Sequence, residues 1–140
     1  MNKYKLPISL WWIVILLCIT GCDSEQMIDY YCEKDNYISA TGVVTHITYS
    51  NSMDQIYIAF DEMDYSFSDN NFKIVGKSLT IAQENGLDAK LDIGDKVVFC
   101  CAPRYFGDGY VIPIVALSVE GEVLLDMDEG IVNLGEWLSE

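Results

Sequence analysis

From Tyr37 onward the chain repeats one pattern, in which short runs of β-branched and aromatic residues are separated by turn formers. "YISATGVVTHITYS" (37–50) has the composition of a strand, and Gly42 within it predicts a bulge or sharp bend. "NSMD" (51–54) is a turn. In "QIYIAFDEM" (55–63), Ile56, Ile58 and Phe60 alternate with Tyr57, Ala59 and Asp61, so the two runs form a hairpin. "DYSFSDNN" is loop chemistry, and "FKIVG" is a third short strand.

"KSLTIAQENGL" (77–87) breaks the pattern. Ser78 is placed to cap a helix, Leu79, Ile81 and Ala82 give it an apolar side, and Asn85-Gly86 stop it after about two turns. "LDIGDKVVFCCAP" follows as a turn at Gly94-Asp95 and a fourth strand. "RYFGDG" is a loop. "YVIPIVALSVEG" is a fifth strand, with Pro113 confined to an edge or bulge. In "DMDEGIVNLGEWLSE", Ile131, Leu134, Trp137 and Leu138 recur at helical spacing behind an Asp128 cap. This predicts a short C-terminal helix, weakened by Gly130 and Gly135.

Hairpin, strand, helix, strand, strand is the order of the oligonucleotide/oligosaccharide-binding (OB) fold. "ATGVV", "FKIVG", "IGDKVVF" and "IVALSV" resemble the corresponding segments of small bacterial OB domains, including those grouped as anticodon-binding-like, over residues 37–122. The resemblance implies an all-β fold: a five-stranded, partly open Greek-key barrel with a short helix between strands three and four plugging one end, followed by the short C-terminal helix. One fold hosts many activities, so a role must be sought in particular residues.

The N-terminal segment is a separate unit. "MNKYKLPISLWWIVILLCITGC" has two lysines, an uncharged apolar run over 6–20 and a small-residue exit, the three parts of a secretory signal. The run is shorter than the ~20 residues that a transmembrane helix needs. Ile19-Thr20-Gly21-Cys22 resembles the lipobox of bacterial lipoproteins. That resemblance implies cleavage before Cys22 and a diacylglycerol on its sulfur, an anchor that two or three acyl chains make stable. Asp23 resembles the inner-membrane retention signal of enteric lipoproteins. The expected organisation is a signal peptide over 1–21, an acidic tether over 22–36 and an OB-like domain with its C-terminal helix over 37–140. Met27, Ile28, Tyr30 and Tyr31 give the tether side chains able to dock on the domain.

Lys3 and Lys5 precede Cys22 and all 22 acidic residues follow it, so the chain from Cys22 onward has six basic residues and a net charge of −16. Such a field keeps a protein soluble, repels phosphate backbones and anionic lipid, and suits a protein or cationic partner. Nucleic acid is disfavoured further, because a single arginine does not make a basic groove.

Four cysteines follow the signal. With Cys22 committed to lipid, Cys32, Cys100 and Cys101 remain in an oxidising compartment. Zinc needs four spaced ligands, whereas here two are adjacent and the only histidine, His46, is a strand residue. Strand one runs antiparallel to strand four in an OB barrel. The expected disulfide therefore joins Cys32 to Cys100, or failing that to Cys101. If Lys96 faces water, Val98 and Cys100 share its face, while Val97, Phe99 and Cys101 face the core.

"CCAPRYFGDGY" (100–110) becomes the loop between strands four and five, beside the binding face of an OB barrel. Arg104, Tyr105, Phe106 and Tyr110 are residue types that build contact surfaces, and they form the candidate binding loop. No nucleophile set, phosphate loop or metalloprotease motif is present. Asp61, Glu62 and Asp64 are the densest acidic group and read as a solvated hairpin end. The expected function is a non-enzymatic, cofactor-free binding or interaction module, tethered by lipid to the extracytoplasmic side of a bacterial membrane. The alternative is a structural or stress-related envelope component with no small ligand.

Overall fold

β1 (Ile38–Tyr49) is long enough to serve two partners. Its first half pairs antiparallel with β4 (Lys96–Cys101), from Ile38↔Cys101 to Val43↔Lys96, and its second half pairs with β2 (Gln55–Asp61), from Val43↔Asp61 to Tyr49↔Ile56. The computed structural model describes residues 25–104 and 111–140. Besides these strands it contains α1 (residues 25–32), a 3-10 turn at Lys34–Asn36, β3 (Asn71–Val75), α2 (Gly76–Glu84), α3 (Leu87–Lys90), β5 (Ile112–Val119), β6 (Glu122–Leu125) and α4 (Met127–Leu138).

The six strands form one mostly antiparallel sheet in the order β3-β2-β1-β4-β5-β6. β3 also meets β5 in parallel through Phe72↔Ile112 and Lys73↔Pro113, so each of β1 to β5 has a neighbour on both sides. Pro113 thus sits at this short parallel contact. The expected five strands become six, because Glu120 (φ 53°) and Gly121 (φ 80°) make a two-residue turn that folds Glu122–Leu125 back on β5.

Strand alternation fills the main core. In β4, Val97, Phe99 and Cys101 are buried, Lys96 and Val98 are exposed and Cys100 is half-buried, as the parity of the sequence requires. Phe60 stacks on Phe99 at 4.5 Å, and Phe72 closes the trio at 5.3 and 4.9 Å. Leu79, Ala82 and Leu87 from α2 and α3 join this core. The bulge in β1 lies between Val44 and His46 rather than at Gly42. Gly42 is instead a place of close packing, since a Cβ there would stand 2.9 Å from that of Phe60.

A second cluster, of Tyr31, Tyr37, Val75, Ala102, Val115, Ile131 and Leu134, joins α1 and α4 to the sheet. Residues 25–36 are therefore folded against the domain rather than a free tether, and Tyr31 is their buried anchor. The two caps also differ from expectation. α2 starts directly from β3 with Val75 at its N-cap, which places Ser78 inside the helix, buried and accepting a hydrogen bond from Asn133 Nδ2 at 3.3 Å. Asp126 caps α4, whereas Asp128 pairs with Lys34 at 2.6 Å.

Gly130 sets how closely α4 approaches β5. A Cβ at Gly130 would fall 1.8 Å from the Val115 carbonyl oxygen, so no side chain fits without moving the helix. Gly130→Ala is expected to cost about 1–3 kcal/mol, the usual range for overpacking, and to lower the thermal midpoint. Gly135→Ala meets only Cys32 Sγ, at 3.2 Å, and should cost less. Equal melting of wild type and Gly130→Ala would contradict this account of the α4 contact.

Candidate binding surface

The loop after β4 starts from a fixed root. Cys101 and Ala102 are buried and Arg104 is exposed. α1 holds the backbone of Arg104 from both sides: Tyr31 Oη donates to its carbonyl at 3.2 Å, and its N–H donates to Tyr30 Oη at 3.2 Å. The guanidinium carbon lies 5.8 Å from the centre of the Tyr30 ring, within cation–π range. Tyr105, Phe106 and Tyr110 of the candidate loop lie outside the described residues, as does Cys22. The chain after the loop enters β5 at Ile112, where the parallel contact with β3 places Pro113 opposite Lys73.

Lys73 belongs to a surface that the sequence reading did not single out. Thr48, Tyr57 and Lys73 are cross-strand partners in register over β1, β2 and β3. The strand alternation that buries Ile56, Ile58, Phe72 and Ile74 turns them to the other face. The Lys73 ammonium lies 4.9 Å from the centre of the Trp137 ring on α4. Trp137 reaches this position over Gly76, whose φ of +56° makes the strand-to-helix turn and whose missing side chain leaves Trp137 Cδ1 only 3.0 Å from where a Cβ would be. Tyr57 Oη donates to Gln55 Oε1 at 3.2 Å, which orients the ring on the same face. Partial burial lowers the Lys73 pKa from the ordinary lysine value, since desolvation disfavours the charged form. The signal was present in "QIYIAFDEM" and "FKIVG", where alternation turns Tyr57 and Lys73 outward. Trp137 depends on how α4 docks.

The other candidates are dispersed. Cys32, Cys100 and Cys101 are free thiols in place of the expected bridge. Tyr31 is the inward residue of α1, and the next position on a helix is turned by about 100°. Cys32 is therefore exposed and faces Gly135 in an open groove between α1 and α4, with Ile28, Ile131 and Val132. Cys100 packs beneath the second cluster, and Cys101 belongs to the main core. His46 is exposed on β1. Asp61, Glu62 and Asp64 are exposed too, and Asp64 Oδ1 accepts from the Thr41 N–H at 2.7 Å. Among the described residues, no group of three or more His, Cys, Asp or Glu side chains is arranged to hold a metal. No helix of the described residues is long and apolar enough to cross a membrane.

Two buried acids resist ionisation. Burial, then the neighbouring Cys100, pushes the Cys101 thiol up to about 12, and burial drives the Tyr37 phenol far above its ordinary value. Tyr37 Oη donates to the Tyr31 carbonyl at 2.7 Å. Both groups keep protons in the fold that the unfolded chain releases. The contribution of Cys101 is thus complete below the ordinary thiol value of 9.0 and falls as pH rises from there toward about 12, and that of Tyr37 starts to fall only above its ordinary value of 10.0. Iodoacetamide should modify Cys32 first at neutral pH and reach Cys101 only in step with alkaline unfolding in that window. Cys101 labelled as fast as Cys32 at neutral pH would refute the burial argument.

No protein-family model matches the chain, and no curated protein matches it significantly.

Proposed function

We propose that this protein is a bacterial lipoprotein, anchored through Cys22 on the extracytoplasmic side of the membrane, whose OB-like domain acts as a non-enzymatic binding module. The observation that carries the fold part is the cycle of pairings β1-β2-β3-β5-β4-β1, with α2 between β3 and β4. That connectivity belongs to a five-stranded Greek-key barrel in which β6 and α4 are additions. In such a barrel the loop after β4 and the outer face of β2 and β3 lie on the ligand side. Here they supply Arg104, Tyr57 and Lys73.

The binding part draws support from the way the loop is held. Both backbone polar groups of Arg104 are hydrogen-bonded by Tyr30 and Tyr31, so its side chain is presented from a fixed root. Arginine and aromatics are the anchors of interfaces. In a chain so acidic, an exposed guanidinium suits a carboxylate or planar acceptor on a partner. The lipoprotein part rests on the signal and on Ile19-Thr20-Gly21-Cys22.

Two experiments separate these parts. Cys22→Ser, expressed in a bacterium, should accumulate unprocessed and fail to incorporate labelled fatty acid; incorporation in the variant would remove the anchor. Arg104→Ala should melt like wild type and lose the partner recovered from solubilised membranes, with a binding loss of about 2 kcal/mol for an interface anchor. A variant that melts far below wild type would make the loop structural, and one that melts normally yet retains its partner would exclude Arg104 from the interface.

A further inference from the structure

The chain is poor in positive charge and rich in carboxylates, so the surroundings of each lysine are informative. Lys34, Lys77 and Lys90 are ion-paired with Asp128, Glu136 and Glu122. Lys96 is exposed at the start of β4. Lys73 differs from all of these: it is half-buried, and among the described residues no carboxylate lies within 4.0 Å of its ammonium and no side chain or carbonyl accepts a hydrogen bond from it. Its recorded partner is the face of Trp137.

A partly desolvated charge is costly unless compensated, and a ring face compensates on one side only. The ammonium has three N–H donors, and the indole ring uses none of them as a directional hydrogen bond. Tyr57 is the cross-strand neighbour of Lys73 on this face, while the ammonium itself lies against the Trp137 ring. We propose that Tyr57, Lys73 and Trp137 form a binding site for a single carboxylate carried on a flat, uncharged body. The carboxylate takes the N–H donors of Lys73, and the body lies against the Tyr57 ring.

Charge selects against larger anions. A net charge of −14 on the full chain repels every additional negative group on a ligand. One carboxylate in contact with the ammonium meets its attraction at full strength. A polyanion brings charges that fall outside that contact and face the acidic surface. Tyr57 and the indole, rather than further cations, supply the remaining contact area, which favours an aromatic or ring-shaped body over an extended anionic chain. This inference rests on the proposal that the outer face of β2 and β3 is the ligand side.

Trp137 serves as the reporter. Of the three tryptophans, Trp11 and Trp12 lie in the signal, so the full chain carrying Trp11→Phe and Trp12→Phe has one indole N–H. In detergent, its ¹⁵N-correlated resonance should move saturably with benzoate and not with the neutral isostere benzamide, and acetate should act only at higher concentration. Lys73→Met should weaken the benzoate response about tenfold or more, the loss expected for a charge-assisted hydrogen bond, while Lys73→Arg should retain part of it. Lys96→Met, at an exposed lysine outside this surface, should leave the response intact. Equal responses to benzoate and benzamide, no response to either, or an undiminished response in Lys73→Met would overturn the site. If Lys73→Met fails to fold, the benzoate–benzamide contrast in the parent and the response of Lys73→Arg decide the matter.

Discussion

The contact of Phe60, Phe72 and Phe99 is the constraint on which the rest of the structure depends. Each phenylalanine comes from a different strand, β2, β3 and β4, and each is fully buried. Phe60 and Phe72 are diagonal neighbours on the paired strands β2 and β3, whereas β4 pairs with neither, so Phe99 meets both of them across the interior. The sheet must curl for this to happen. β1 makes the curl by changing partner midway, with its bulge at the change and the missing side chain of Gly42 clearing space for Phe60. Aromatic pairs of this kind contribute about 0.5–1.5 kcal/mol beyond the area they bury. Phe67, from the loop after β2, covers the trio at 5.2 Å from Phe72 and 6.0 Å from Phe99.

Outside the main core, α1 and α4 pack on the sheet through the second cluster. Val115 points away from the main core into the second cluster, and α4 settles over it because Gly130 presents backbone to backbone. The position of α4 brings Trp137 over Gly76 to Lys73, and the buried Asn133–Ser78 hydrogen bond ties α4 to α2. α1 closes the other flank through Tyr31, whose hydroxyl continues to Arg104. Packing of the two helices therefore places both cationic groups of the candidate surface, although neither Lys73 nor Arg104 lies on a helix.

Strong alternation made the inner layer legible. β1 to β5 and the helix between β3 and β4 follow from local patterns of period two or of helical spacing, whereas the parity of Val97, Phe99 and Cys101 follows only from setting Lys96 toward water, because the run after it is apolar throughout. The outer layer was less so. β6 is four residues long, and its turn is Glu-Gly instead of the usual Asn-Gly, so Glu122–Leu125 reads as no strand of its own and the fifth ends at Gly121. Residues 25–36 are acidic enough to look solvated, and the packing of Met27, Tyr30 and Tyr31 on the second cluster makes them part of the domain. The free Cys32 has the same origin, because the expected pairing rests on the chain entering β1 lying beside the end of β4, while a helix commits Tyr31 inward and turns Cys32 out. Two residues of the candidate surface, Tyr57 and Lys73, were implicit in the alternation. Their association with Trp137 required knowing how a glycine-containing helix would dock.

The distribution of positive charge fits this division into layers. Lys34–Asp128 joins the segment after α1 to α4, Lys77–Glu136 joins α2 to α4, and Lys90–Glu122 joins α3 to β6. All six side chains are substantially exposed, and exposed ion pairs of this kind add little to stability. Their effect is on the surface left behind. They neutralise three of the scarce cations at the periphery, where carboxylates are plentiful, and leave Lys73 on the outer face of β3 against an aromatic ring. A lysine that served only to balance the acidic surface would sit among those carboxylates in water. Lys73 instead gives up part of its hydration on the sheet face, beside Tyr57 and opposite the first residues after the loop that Arg104 begins. Charge balance does not account for that placement, whereas the carboxylate site proposed for this face would use it.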